Sequence, residues 1–182
     1  MNKTERDILA RIESLHPSVG DDWSSGPFSA KEISLTEKSL RRSLDPHHRM
    51  MLERYGGNFT FELGPVDVAR TGKNVDLFLG IGDDDPYSVI NKLNTYNDQI
   101  PGDWYPFAMD LEGNLYCLAS QGAVYHIILK AEKQGGLRPI TAGRCVADSF
   151  VDFAMALRLP DWARDYLEQQ ENGERENHGG QD

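Results

Sequence analysis

Apolar residues crowd most densely between Trp104 and Leu129, where two turn signals divide them into three short runs. Residues 105–109 predict a first strand. Asp110-Leu111-Glu112-Gly113 follows as a turn, with Gly113 free to take the positive φ that a Cβ resists. Residues 114–119 predict a second strand, Ser120-Gln121-Gly122 a hairpin loop, and residues 123–129 a third strand. Leu115, Tyr116, Cys117, Leu118 and Ala119 leave the second run without a polar face, which marks a central strand covered on both sides. The rest of the chain is expected to pack on this meander or to extend it.

Helical spacing governs most of the remainder. Ile8, Leu9, Ile12 and Leu15 predict a first helix, with Thr4 as its cap and Pro17 and Gly20 as its stop. Residues 20–28 have loop composition, with Trp23 and Phe28 as anchors on the core. Ser34 and Glu37 have capping-box spacing and predict a helix carrying Leu40 and Leu44. Asp45-Pro46 starts another helix through Tyr55, which Gly56-Gly57 stops. A strand is expected at 58–62, a connection at 63–74 and a second strand at 75–81. Asp85 as N-cap and Pro86 in the first turn predict a helix whose face is Val89, Ile90, Leu93 and Tyr96. Residues 130–143 read as a mobile connection or loose strand. Asp148 or Ser149 then caps a helix burying Phe150, Phe153, Ala154 and Leu157, and Pro160 restarts a short one to about 170. Residues 171–182 are too polar to bury apolar area and are expected to be disordered. Helices before and after hairpin-linked strands predict an α+β fold: a mostly antiparallel, twisted sheet with a three-strand meander, flanked by helices. The division expected is an N-terminal helix and loop at 1–32, the α+β domain at 33–170 and an acidic tail at 171–182.

Charge and candidate chemistry narrow the function by exclusion. The 182 residues carry a net charge of −10, which disfavours nucleic-acid binding and suits a basic protein partner. No apolar run approaches the ~20 residues of a membrane span, and the polar start Met-Asn-Lys-Thr-Glu-Arg lacks the apolar core of a secretory signal, so a cytoplasmic protein is expected. Cys117 and Cys145 are expected to be buried, reduced thiols. Gly80-Ile81-Gly82 begins like a phosphate loop, but Asp83-Asp84-Asp85 follows it and would repel a phosphate. That acidic turn lacks the alternating ligands of a calcium loop. His47 and His48 are adjacent on one helix, cannot chelate one ion from a single face, and read as partly exposed. His16 and His126 have no recognisable partner, and Cys117 in a buried strand is a poor nucleophile. The sequence therefore predicts no catalytic, cofactor-binding or metal residues.

Four motifs in order carry a resemblance: Tyr55-Gly56-Gly57-Asn58-Phe59, the run from Tyr105 to Leu118, Gly122-Ala123-Val124-Tyr125, and the run from Val146 to Phe153. Over residues 33–157 the chain resembles the SUKH superfamily, the Smi/Knr-type domain. That superfamily includes fungal cell-wall assembly regulators and bacterial immunity proteins. Two departures stand out: Tyr55 replaces a frequent Asn before the Gly pair, and His126 to Leu129 are more apolar than the family's usual aromatic and acidic residues. The resemblance implies an α+β binding domain without catalysis, and in particular an immunity protein for a cognate toxin, with a basic nuclease as the toxin its charge fits. Asp83, Asp84, Asp85, Asp103 and Trp104 are the expected partner contacts, as acidic loops beside an aromatic anchor. The alternatives are a regulatory interaction scaffold and a metal-dependent hydrolase built on the acidic loop.

Overall fold

The protein is described by a computed structural model covering residues 1–19, 26–82, 85–129 and 143–178, with Glu171 and 173–178 as backbone alone. Helix α1 (Lys3–Glu13) opens on a capping box at Asn2, not at Thr4. Asn2 Oδ1 accepts from Glu5 N at 2.9 Å and Glu5 Oε2 accepts from Asn2 N at 2.6 Å. Strand β1 (Pro17–Ser18) follows where only a helix stop was expected. Helix α2 (Ala30–Leu40) starts at Ser29, with Glu32 closing the box, and buries Ile33 and Thr36. Two Ser-x-x-Glu boxes compete in this stretch. The second fails as a cap because Glu37 faces α3 (Pro46–Tyr55), where its carboxylate accepts from Leu44 N and pairs with Arg49, each at 3.0 Å. Helix α3 is as the sequence predicts. Asp45 Oδ1 accepts from His47 N and His48 N, and Gly56 ends the helix at φ 78°.

The segment expected as a connection forms part of a small sheet. Strand β2 (Thr60–Phe61) pairs antiparallel with β1, and β3 (Val66–Val68) forms a hairpin with β4 (Lys73–Val75). Three-residue strands are too short to show alternation against a background of Gly64, Pro65 and Gly72. Asp76 then separates β4 from β5 (Leu77–Phe78), splitting the strand expected at 75–81. Helix α4 (Val89–Thr95) is capped by Ser88, not Asp85.

The meander is where the sequence places it: β6 (Tyr105–Met109), β7 (Leu115–Leu118) and β8 (Val124–Ile127). An unpredicted strand, β9 (Arg144–Ala147), completes a five-stranded antiparallel sheet in the order β5-β6-β7-β8-β9. The connection expected at 130–143 lies outside the described residues except Gly143. Helix α5 (Phe150–Ala156) is capped by Ser149, and β10 (Leu157–Arg158) joins the β3–β4 hairpin. Helix α6 (Asp161–His178) continues through 171–178, where disorder was expected, because no proline interrupts the run of Glu and Gln; residues 179–182 lie outside the described residues. The fold is α+β, with antiparallel sheets flanked by helices and, among the described residues, no closed barrel.

Strand β7 is central and buried at all four positions because two cores meet across it. Tyr116 and Leu118 face the main core, which holds Ile8, Ile12, Met51, Phe59, Phe107 and Phe153. Leu115 and Cys117 face a smaller core with Ile100, Ile127, the α4 side chain Leu93 and Tyr96 just past the helix end. Helix α1 thus supplies side chains to the same core as the domain, and Tyr55 Oη donates to Glu13 at 2.9 Å to tie α1 to α3. Opposite β7 the register of β6 shifts between Pro106 and Ala108, a bulge where proline has no N–H to give the ladder. Phe107 at the bulge meets Phe153 edge-on at 5.1 Å.

Candidate functional site

Asn58 and the loop after β5 form the first region of candidate chemistry. Gly57 packs against the Gly80 backbone so closely that a Cβ on it would lie 2.1 Å from Gly80 Cα. Asn58 follows at φ 56°, a conformation Asn tolerates better than most residues. Its Oδ1 accepts from Gly80 N at 3.0 Å and its Nδ2 donates to Asp85 Oδ2. Asp85 Oδ1 accepts from Tyr87 N at 2.8 Å, and the Asp85 carbonyl accepts from Asn91 Nδ2 at 2.6 Å. Both carboxylate oxygens of Asp85 are therefore engaged in shaping the loop. Asp83 and Asp84 lie outside the described residues.

Asp103 and Trp104 sit at the entry to β6. Asp103 is exposed; its Oδ2 accepts from Ser120 Oγ at 2.7 Å, and its carbonyl accepts from the Arg42 guanidinium. Trp104 is half-buried, stacked on Tyr125 with ring centroids 4.1 Å apart, and it closes the rim of the smaller core. Among the described residues no hydrogen bond or ion pair joins Asp85 to this pair. Of the described members of the expected contact set, Asp103 and Trp104 present a carboxylate and an aromatic side by side.

A second cluster escaped the sequence reading. His126 has a partner after all: its Nε2 lies 2.8 Å from Asp110 Oδ2, and both side chains are buried. An ionised carboxylate only accepts, so Nε2 carries the proton and donates. Asp110 Oδ1 also accepts from Glu112 N at 2.9 Å and Asn114 N at 2.8 Å, while Asn114 Nδ2 donates to Oδ2 at 2.9 Å. Burial works against the Asp110 charge, but the hydrogen bonds from Asn114 and His126 outweigh it and hold the carboxyl below its usual range. Asp76 nearby is pushed up, first by burial and then by the Asp110 charge. The cluster has the partners of a catalytic dyad, but both side chains are buried among the described residues, and its hydrogen bonds pin the β6–β7 turn. Asp-x-x-Gly at a turn was visible in the sequence; its pairing with His126 required the β7–β8 register.

His48 also departs from expectation. It is 1% exposed, not partly exposed, because it shares a helical stripe with Met51, Leu52 and Tyr55. Asp45 N donates to Tyr105 Oη at 3.0 Å, and the hydroxyl lies 3.3 Å from His48 Nδ1. Burial pushes the His48 pKa down to about 3. The folded protein keeps this imidazole neutral, whereas the unfolded chain takes up a proton below its ordinary value near 6.5. Stability is therefore lost as pH falls from about 6.5 towards 3, by up to about 1.4 kcal/mol per pH unit. His48→Phe preserves the ring contacts and removes the proton. Urea midpoints of the variant are expected to depend less on pH between about 4 and 7 than those of the parent. The variant is also expected to lose about 1 kcal/mol at neutral pH, because the Tyr105 hydroxyl keeps the bond from Asp45 N but loses its imidazole partner. An unchanged pH slope would assign the acid sensitivity elsewhere.

Burial pushes the Cys117 thiol far up, as its strand position predicts. Cys145 corrects the expectation of a second buried thiol: it is exposed on β9, beside a shallow groove lined by Arg70, Arg144, Asp152 and Met155. Among the described residues no group of three or more His, Cys, Asp or Glu side chains is placed to hold a metal ion. None of the described helices is long and apolar enough to cross a membrane.

The four motifs, which the structure explains by turns and close packing, all lie within one stretch matched by a family model. Residues 27–156 match the model of the SMI1 / KNR4 family (SUKH-1). The chain belongs to that family. No curated protein matches it. The SUKH-1 region runs from the entry of α2 to the end of α5, so α1, β1, β10 and α6 lie outside it. Within it, Gly56-Gly57-Asn58 gains a structural meaning: a helix stop, a backbone contact and a brace on the acidic loop.

Proposed function

We propose that this protein is a non-enzymatic immunity protein that binds and neutralises a cognate toxin. The observation that carries the reading is membership in the SMI1 / KNR4 family over the greater part of the chain. The resemblance to bacterial immunity proteins and the net charge of −10 support a basic toxin, such as a nuclease, as the partner. The proposed contacts are Asp83, Asp84, Asp85, Asp103 and Trp104. Within this set Asp103 and Trp104 meet the partner directly, as an exposed carboxylate beside a rigid aromatic, while Asp85 holds the loop in shape.

The test is capture of the tagged protein's partner from its native cells, followed by titration of the purified pair. One basic partner is expected, whose toxicity the protein relieves and whose complex weakens with added salt. Asp103→Asn with Trp104→Ala is expected to weaken that complex by roughly tenfold or more. Unchanged affinity would remove the contact surface and leave the function standing. Recovery of several housekeeping proteins in place of one toxin would favour the scaffold reading.

A further inference from the structure

Helix α6 has two faces with different fates. Ala163 is buried and Leu167 packs on the main core, so one stripe holds the helix to the domain. Trp162 and Tyr166 point elsewhere: they are 58% and 48% exposed. At 100° per residue they stand about 40° apart, one turn above the other, and so form a single aromatic surface. Asp161, Asp165 and Glu168 share the adjoining stripe and are exposed. Arg164 is tied to Asp161, and no ion pair among the described residues engages Asp165 or Glu168.

Isolated exposed aromatics are ordinary on protein surfaces, but these two are consecutive on one rigid helix face and are bordered by unneutralised carboxylates. Trp and Tyr are the side chains that most often carry binding energy at interfaces, and the carboxylates set the charge of what can approach. A second copy is disfavoured, since apposing two such faces brings the Asp165 and Glu168 rows together. The helix also lies beyond the residues matched by the family model, so this surface is an addition to the common domain.

We infer that the Trp162–Tyr166 face of α6 docks a cationic protein surface, with the two rings filling an apolar depression and Asp165 and Glu168 pairing with its basic rim. The inference deepens the binding role proposed above by naming a second contact surface, and it rests on that reading for the partner's biology.

The test places the photo-reactive residue benzoylphenylalanine at position 162 of the full chain, and in a second version at 166, with irradiation in the native cells. The cross-linked protein is then purified and titrated against the parent and against Trp162→Ala/Tyr166→Ala. The expected result is a cross-link to a basic protein, binding weakened at least 30-fold by the double substitution, and association slowed about tenfold by Asp165→Lys/Glu168→Lys. Both variants change exposed positions, and an unchanged melting curve verifies that they fold. A cross-link to a second copy, to an acidic protein or to nothing overturns the inference. So does a partner, captured through the tag, that binds the double variant as tightly as the parent; that outcome leaves the immunity reading intact. A basic cross-linked partner that is no toxin has the opposite meaning: the α6 surface stands and the immunity reading falls.

Discussion

Replacing Gly57 by alanine is expected to destabilise the protein by about 3 kcal/mol or more, a large share of the 5–15 kcal/mol that holds a typical domain together. The added Cβ would lie 2.1 Å from Gly80 Cα and 2.8 Å from Gly80 N. Both are backbone atoms, so no side-chain rotation relieves the overlap. The third neighbour, Phe28 Cε2 at 3.2 Å, belongs to the residue whose N–H donates to the Leu52 carbonyl and pins the loop before α2 to α3. Separating 57 from 80 also breaks the Asn58 Oδ1 bond to Gly80 N and loosens the brace on Asp85. In urea denaturation the midpoint is expected to fall by more than 1 M, taking a slope of ~2 kcal/mol/M for a chain of this size. Gly102→Ala is the control: nothing lies within 4 Å of its Cβ position, and a change within about 0.5 kcal/mol is expected. Equal midpoints for Gly57→Ala and Gly102→Ala would mean that the two backbones do not meet as described.

The two glycines after Tyr55 show what a sequence does and does not reveal. A Gly pair behind an apolar helix face predicts a stop, and Gly56 at φ 78° supplies it. The reason for the second glycine is a contact with a residue 23 positions on, and no local pattern encodes that. The same distinction runs through the fold. The β6–β7–β8 meander is legible because each strand is four or five residues long and its turns contain Gly113 and Gly122, both at positive φ. Strands β1 and β10 are two residues long, and their partners Phe61 and Val68 are distant in sequence, so pairing alone makes them strands. Two Ser-x-x-Glu boxes follow each other at Ser29 and Ser34, and only the tertiary contacts of Glu37 with Leu44 N and Arg49 show which one caps α2. Of the candidate contacts, the sequence identified an aromatic beside a carboxylate at 103–104. It could not show that Asp85 was already satisfied by Asn58, nor that Trp162 and Tyr166 would be left facing outward by the way Ala163 and Leu167 seat α6.

Asp110→Ala is expected to produce the second large loss, about 3–5 kcal/mol, because it removes one partner from a buried charged network and leaves the others in place. Glu112 N, Asn114 N and His126 Nε2 lose their acceptor, and Asn114 Nδ2 loses one of two, keeping Glu112 Oε2 at 3.1 Å. Asn114 and His126 are buried, so little water replaces the carboxylate. Asn114 Oδ1 also accepts from Leu129 N at 3.1 Å, so the disturbance spreads from the β6–β7 turn to the end of β8. Asp110→Asn should cost less, about 1–2 kcal/mol. Its carbonyl still accepts from the two backbone N–H groups, and His126 can change tautomer to accept from the new amide, leaving one donor-to-donor contact with Asn114 Nδ2. The pH dependence separates this network from His48. The Asp110 carboxyl is held below its usual range, so its stabilisation is complete above the ordinary carboxylate pKa near 4 and is lost as pH falls through the folded value. The His48 loss begins near pH 6.5. Removing Asp110 should therefore lower stability by a constant amount from pH 5 to 7 and by a shrinking amount in stronger acid. His48→Phe changes the slope inside the higher window. Urea midpoints of both variants across that range would distinguish a structural role for the His126–Asp110 pair, with its stability cost, from a catalytic one that leaves stability unmoved.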